Sequence, residues 1–127
     1  MNVVDSSGWL EFFADGPNAA FLAASIIDTD RLVVPTISLL EVFKRVFAQR
    51  GENAALQVAA QMRQGRVVDL DADLAMQAAS LGLLHKLPLA DSVMLATAQA
   101  HSATLWTQDA DFDGIDGVRY IRHASVR

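Results

Sequence analysis

The chain has 127 residues, carries a net charge of −5 and contains no cysteine. Its content of 52% hydrophobic and 20% charged residues excludes a disordered chain and predicts one domain over residues 1–127. The lack of cysteine excludes disulfides and thiolate metal sites and fits a reducing cytoplasm. We find no apolar run long enough to span a bilayer and no pattern typical of a secretory signal. Taken alone, the acidic charge disfavours nucleic acid as a partner, because phosphates would be repelled.

Short apolar runs alternate with longer amphipathic stretches, which predicts strands that alternate with helices. The predicted strands are 3–4, 32–34, 67–70, 104–107 and an edge strand at 118–121, and the predicted helices are 6–13, 18–27, 36–50, 52–64, 72–85 and 88–101. Polar turns are expected at 28–30 and 109–114. Strands separated by helices predict parallel βαβ units with both sheet faces covered. In such sheets, ligands bind beyond the carboxyl ends of the strands.

Acidic residues directly follow two of the predicted strands. Asp5 follows the first strand and Asp109 follows the fourth, with Asp111 two residues later. These placements put carboxylates at the edge of the sheet where chemistry is expected. The alternative interpretations are a helix cap for Asp5 and a polar turn for Asp109.

Two further acids lie inside predicted helices. Glu41 has apolar neighbours in sequence, yet an exposed i,i+4 pair with Arg45 is a simpler interpretation of this residue alone. Asp91 lies near the start of a helix that opens at Pro88, where the helix dipole favours an acid. That helix is almost entirely apolar, which predicts burial, and a buried carboxylate needs a partner.

Four segments together resemble the PIN domain, and specifically the VapC-type toxin ribonucleases of bacterial type II toxin–antitoxin pairs. They are Val3-Val4-Asp5-Ser6-Ser7, Ser38-Leu39-Leu40-Glu41-Val42, Leu89-Ala90-Asp91-Ser92 with Ala96-Thr97-Ala98 behind it, and Thr107-Gln108-Asp109-Ala110-Asp111-Phe112. Their order, their spacing and the length of the chain all fit. The resemblance implies an α/β fold: a three-layer α/β/α sandwich with a central, mostly parallel sheet of about five short strands.

The resemblance also implies a site and its partners. Asp5, Glu41, Asp91 and Asp109 would be catalytic and would bind Mg²⁺, or Mn²⁺ as a substitute, with Asp111 as a lower-ranked ligand. The chemistry agrees, because crowded carboxylates repel one another and hard divalent cations prefer oxygen ligands. The implied activity is hydrolysis of RNA phosphodiesters, by one ion or two. The implied partners are a second copy of the chain and a cognate antitoxin whose C-terminal tail fills the catalytic groove.

Basic side chains on the third predicted helix offer a second kind of contact. Lys44, Arg45 and Arg50 could bind RNA phosphates, or they could form a solvated helix face. Bound metal would reverse the local field and let phosphate approach an acidic protein. The aromatic residues Trp9, Phe12 and Phe13 at helical spacing indicate core packing more often than a groove for an antitoxin helix.

Two other functions remain open at this stage. A metal-dependent phosphatase of another α/β family is one, but the haloacid-dehalogenase type needs a second Asp where Ser7 stands. A receiver domain needs a late lysine, and none follows Lys86. The other function is a non-catalytic PIN-like module that binds RNA or a partner, against which the full set of four acids argues. We find no Gly-x-Ser-x-Gly motif and no phosphate-binding glycine loop.

Overall fold

The structure is a computed structural model, and it describes residues 1–123. Within these residues the helices are α1 Ser6–Phe13, α2 Ala19–Ile27, α3 Thr36–Arg50, α4 Glu52–Met62, α5 Ala72–His85 and α6 Leu89–Ala100. The strands are β1 Asn2–Val4, β2 Val33–Pro35, β3 Arg66–Val68, β4 Thr104–Thr107 and β5 Val118–Tyr120. Single turns of 3₁₀ helix lie at Thr29–Arg31 and Ala110–Phe112.

The strands pair in parallel, as the alternation of strands and helices predicts. β4 lies between β1 and β5, and β2 pairs with β3. A parallel bridge between Asn2 and Leu32 joins the two groups, which gives the order β3-β2-β1-β4-β5. The chain leaves β1 towards β2 and β3, and later returns to the other side of β1 as β4. The switch point of the topology therefore lies between β1 and β4, where Asp5 and Asp109 follow their strands.

Alternate strand residues face two helical layers, which confirms the predicted three-layer sandwich. Val4 and Val34 pack into a core with α1 to α4. Val3, Val33 and Leu105 pack on the other face against α6. The small and apolar residues Ser92–Ala98 let α6 lie close to the sheet, and all seven are buried. The helix that carries Asp91 therefore packs directly on the sheet.

Several boundaries differ from the sequence prediction by one or two residues. Strand β3 ends at Val68, because β2 offers only Val33–Pro35 as pairing partners and Asp69 and Leu70 have none. The turn predicted at 28–30 closes as a turn of 3₁₀ helix. No helix among residues 1–123 is long and apolar enough to cross a membrane.

Candidate active site

Asp5 joins β1 to α1 and takes part in both the helix and the candidate site. Its Oδ1 accepts a hydrogen bond from the Gly8 N–H at 2.8 Å and so caps α1. The Ser7 hydroxyl donates to Oδ1 at 3.1 Å and to Oδ2 at 3.0 Å. Ser6 and Ser7 lie in the first turn of the helix. The cap and the site are therefore compatible interpretations of one residue.

Thr107 connects the carboxyl ends of β1 and β4. It is fully buried, and its hydroxyl donates to Asp5 Oδ2 at 2.6 Å. The hydroxyl oxygen of Thr107 also accepts a hydrogen bond from the Asp109 N–H at 2.9 Å. Asp109 Oδ1 in turn accepts the Asp111 N–H at 2.9 Å, which begins the following 3₁₀ turn. One hydroxyl therefore sets the relative positions of two acids that come from different strands.

Helices supply the other two acids of the predicted site. Glu41 on α3 is half-buried, and its Oε1 accepts the Ser6 hydroxyl at 2.7 Å. The alternative ion pair with Arg45 does not form within residues 1–123. Asp91 lies in the first turn of α6, half-buried beside the apolar run of that helix. Both helices thus direct a carboxylate towards the switch point of the sheet.

The electrostatics of these acids show that they share one environment. Burial raises the pKa of Asp5 from 3.8 to about 6, although hydrogen bonds from Thr107, Gly8 and Ser7 oppose the rise. Asp91 has its pKa raised to about 7, first by burial and then by four neighbouring negative charges. Those charges belong to Asp109, Asp5, Glu41 and Asp111. Two carboxyl groups whose pKa values lie near neutrality indicate a cluster that binds either protons or a cation.

The donor set fits a hard divalent cation. Carboxylate oxygens of Asp91, Asp109 and Asp111 lie within 4.8 Å of one another. Oxygen donors from carboxylates are the ligands that Mg²⁺ and Mn²⁺ prefer. The geometry gives Asp111 more weight than sequence reasoning did, since it belongs to this close group while Asp5 and Glu41 lie further out. No histidine belongs to a comparable group among the described residues.

The acids open into a cavity of about 540 Å³ between α1, α3 and α6, which we call the acid cavity. Asp5, Glu41, Asp91 and Asp109 all line it, and Lys44 and Arg45 on α3 line it as well. All four residues of the predicted carboxylate site are therefore brought together. Arg50, the third predicted phosphate contact, lines a different cavity.

A second cavity of about 280 Å³ lies next to the first, between α1, α3 and α4. Leu10 lines both. Phe13, Val46 and Val58 supply apolar surface, and Arg50 and three glutamines supply polar groups. Trp9, which the sequence places in core or groove, is fully buried and lies in the core.

Sequence reasoning missed the residues that hold the acids in place. Thr107, Gly8 and Ser7 all bond to Asp5, and Ser6 bonds to Glu41. Each lies within three residues of an acid in sequence. Threonine at the end of a buried strand was the signal available, because a buried hydroxyl needs a hydrogen-bond partner.

A family profile of the PIN domain matches residues 3–118, so the chain belongs to the PIN domain family. This confirms the resemblance drawn from the four acidic segments. It also rules out a phosphatase of another α/β family as the explanation of the acids. A search of curated protein sequences finds no match.

Solved structures of VapC-type toxins share the fold. The chain is similar to a toxin–antitoxin complex from Klebsiella pneumoniae, with 25% identity, a TM-score of 0.79 and coverage of 94% of this chain and 96% of that one. It is also similar to VapC20 of Mycobacterium tuberculosis, a sarcin–ricin loop cleaving toxin, with 19% identity, a TM-score of 0.74 and coverage of 91% and 95%. A third is VapBC2 from Rickettsia felis bound to a promoter DNA fragment, with 14% identity, a TM-score of 0.72 and coverage of 95% and 97%. The protein is thus a PIN-domain protein with the fold of the VapC-type toxins, within a family of nucleases.

Proposed function

We propose that this protein is the toxin of a toxin–antitoxin pair and a divalent-metal-dependent endoribonuclease that hydrolyses RNA phosphodiesters. The observation that carries the proposal is the acid cavity, where residues from two strand ends and two helices meet. Four carboxylates line it, and a fifth, Asp111, belongs to the close group of oxygens that it forms with Asp91 and Asp109. Such crowding opposes folding unless protons or cations compensate it. A divalent cation bound among these oxygens would relieve the repulsion.

The residues of the site divide into ligands and supports. Asp91, Asp109 and Asp111 would hold Mg²⁺ or Mn²⁺, with Asp5 and Glu41 completing the anionic wall. The ion would supply an activated water and neutralise charge on the scissile phosphate. Thr107 and Ser7 keep the Asp5 carboxylate oriented, and Ser6 does the same for Glu41. These supports fix the anionic wall before any substrate binds.

Lys44 and Arg45 are the candidate contacts for the RNA backbone. Both are exposed on α3 one turn after Glu41, and both line the acid cavity. They place positive charge beside the acids of a chain whose net charge is −5. A phosphate flanking the scissile bond would meet these side chains while the ion neutralises the other wall.

The decisive experiment is cleavage of total bacterial RNA by the purified chain, with Mg²⁺ or Mn²⁺ and with EDTA. We expect metal-dependent cleavage into discrete fragments. Asp91→Asn should abolish it, because one ligand of the close group loses its charge. Asp69→Asn is the matched control, since Asp69 is exposed and lies outside the cavity. RNA that stays intact with every divalent ion, yet is still bound, would favour a non-catalytic binding module.

The proposal includes an antitoxin and a second copy of the chain as partners, and places the activity in the cytoplasm with its RNA. The second cavity, which shares Leu10 with the acid cavity and carries apolar side chains, supports binding of an antitoxin segment. Three large side chains at the α5–α6 junction support a homodimer, since Leu83, Leu84 and Leu89 are 85%, 72% and 80% exposed. Sedimentation of the wild type and of Leu83→Glu/Leu89→Glu tests the dimer, which the charged variant should dissociate. A wild type that sediments as a monomer at all concentrations contradicts it.

A further inference from the structure

Two buried side-chain amides lie behind the acid site and make no contact with the cavity. Asn18, between α1 and α2, and Gln108, directly before Asp109, are each 7% exposed. The Asn18 Nδ2 donates to Gln108 Oε1 at 2.9 Å. We call this pair the amide bridge. It joins residues 90 positions apart in the chain.

The orientation of both amides is fixed by backbone carbonyls, which only accept hydrogen bonds. Asn18 Nδ2 also donates to the Arg122 carbonyl at 3.0 Å. Gln108 Nε2 donates a hydrogen bond to the Ser7 carbonyl at 3.4 Å. The bridge therefore ties together the first turn of α1, the turn before α2, the segment after β4 and the segment after β5.

Asn18 forgoes a local interaction to make this bridge. It stands at the N-cap of α2, a position where asparagine side chains normally accept from the helix N–H groups, yet it makes no such bond. Its backbone N–H is instead held by Glu11 Oε2 at 2.8 Å. The side chain is thus committed to Gln108 and Arg122.

Gln108 occupies the position between the two residues that shape the acid site. Thr107 bonds to Asp5, and Asp109 contributes to the close group of carboxylate oxygens. The segment is also held by the Ile121 N–H on the Thr107 carbonyl at 3.0 Å, and the Asp109 N–H donates to the Thr107 hydroxyl at 2.9 Å. Freeing the Gln108 side chain would remove the bonds that tie this segment to α1 and to the turn before α2.

We propose that Asn18, acting through Gln108, is a positioning residue that sets the place of Asp109 in the metal site. The inference rests on the proposed function for the identity of the ion, and on the hydrogen bonds alone for the anchoring. Residues that orient ligands in this way typically change metal affinity about 10- to 100-fold when removed. Asn18 touches neither the ion's ligands nor the cavity.

A double-mutant cycle on Mn²⁺ affinity tests the proposal. The dissociation constant is measured by calorimetric titration for wild type, Asn18→Ala, Gln108→Ala and the double variant, at a temperature where all are folded. We expect each single variant to bind Mn²⁺ about tenfold more weakly, and the double variant no more weakly than either. Wild-type affinity in Asn18→Ala, or two losses that simply multiply, overturns the proposal. Gln108→Met, which keeps the volume of the side chain, serves where an alanine variant does not fold.

A control and a second readout separate positioning from general stability. Met62→Ala opens a space in the core at the end of α4, at a residue that lines neither cavity and bonds to neither amide of the bridge. It should lower the melting temperature and leave the Mn²⁺ affinity unchanged. Without metal, amide exchange at Asp109 and Asp111 should quicken in Asn18→Ala and not in Met62→Ala. If wild type binds no Mn²⁺ the proposed function fails, while the exchange measurement still decides whether the bridge holds this segment.

Discussion

Among single residues, Thr107 has the most direct effect on the site. Its hydroxyl fills the space between Asp5 Oδ2 and the Asp109 N–H, so Thr107→Val leaves a buried carboxylate oxygen without its shortest bond. We expect a loss of about 1–3 kcal/mol in the free energy of unfolding and about tenfold weaker Mn²⁺ binding. Thr107→Ser should retain most of both. Urea unfolding and calorimetric titration measure the two effects.

Thr97→Val is the matched control for this substitution. Thr97 is also fully buried, and its hydroxyl donates to the Val93 carbonyl within α6 at 2.8 Å. The change should lower stability and leave metal affinity alone. Equal losses of affinity in the two variants would mean that the hydroxyl of Thr107 has no special part in the site.

The pKa values of Asp5 and Asp91 make stability depend on pH in an unusual direction. They are raised from 3.8 to about 6 and about 7, so the metal-free folded state holds protons that the unfolded state releases above about pH 4. The free energy of unfolding therefore falls as the pH rises from about 4 towards 8. For Asp5 alone the loss is roughly 3 kcal/mol.

The same reasoning predicts that a disabled site is more stable than the native one. In EDTA, the melting temperature of the wild type should fall between pH 5 and 8, and Asp91→Asn should exceed it at pH 8. Excess Mn²⁺ at pH 8 should restore the wild type, by about 2.7 kcal/mol at 100 times the dissociation constant, and leave Asp91→Asn unchanged. A wild type that grows more stable towards pH 8 in EDTA would contradict the shared environment of these acids.

At the scale of elements, the sequence predicted what depends on local pattern. The helices and strands lie where apolar periodicity places them, and the apolar run of α6 is buried as expected. The end of β3 was wrong because strand length depends on what the partner strand offers, and β2 offers three residues. The amide bridge was not predictable, since its two residues are 90 positions apart and asparagine before a helix reads as a cap.

The site was likewise predictable only where it depends on the local sequence pattern. Asp5 and Asp109 could be placed because the carboxyl ends of parallel strands meet at one edge. Asp111 belongs to the close group of carboxylate oxygens and Asp5 does not. This difference depends on the side-chain geometry after β4, which the sequence pattern leaves undetermined.

The first turn of α1 shows how tightly an element is built around an acid. A Cβ added at Gly8 would lie 2.8 Å from Val4 Cγ1 and 3.0 Å from Asp5 Oδ1. Alanine normally favours a helix interior by about 1 kcal/mol over glycine. Here we expect Gly8→Ala to destabilise the fold and to weaken Mn²⁺ binding, because the new methyl group displaces the carboxylate.

Gly65→Ala is the control that separates the loss of stability from the loss of Mn²⁺ affinity. Its Cβ would lie 2.9 Å from Leu32 Cγ, with no acid among its near contacts. Thermal melting should show both variants destabilised, and titration should show the loss of Mn²⁺ affinity in Gly8→Ala alone. Unchanged affinity in Gly8→Ala would mean that Asp5 does not depend on this close approach.

At the scale of the whole molecule, the proposed function requires an acidic chain to admit an anionic substrate. The net charge is −5, and the acids at the switch point concentrate negative potential at the entrance of the site. Lys44 and Arg45 are the basic residues that line the acid cavity among the described residues, whereas Arg50 lines the second cavity. If the proposed function holds, the distribution of charge predicts where RNA would enter, although the total charge disfavours RNA.

Salt dependence of RNA binding tests this distribution. In an Asp91→Asn background, which prevents cleavage, each phosphate contact to single-stranded RNA should contribute about 0.7 to the slope of log affinity against log salt. Lys44→Ala/Arg45→Ala should therefore reduce the slope by about 1.4 and weaken binding across RNA sequences alike. Arg50→Ala removes the same charge from α3 but from the wall of the other cavity, so it should leave the slope unchanged. Equal reductions for Arg45→Ala and Arg50→Ala would show that RNA follows the whole helix rather than the acid cavity.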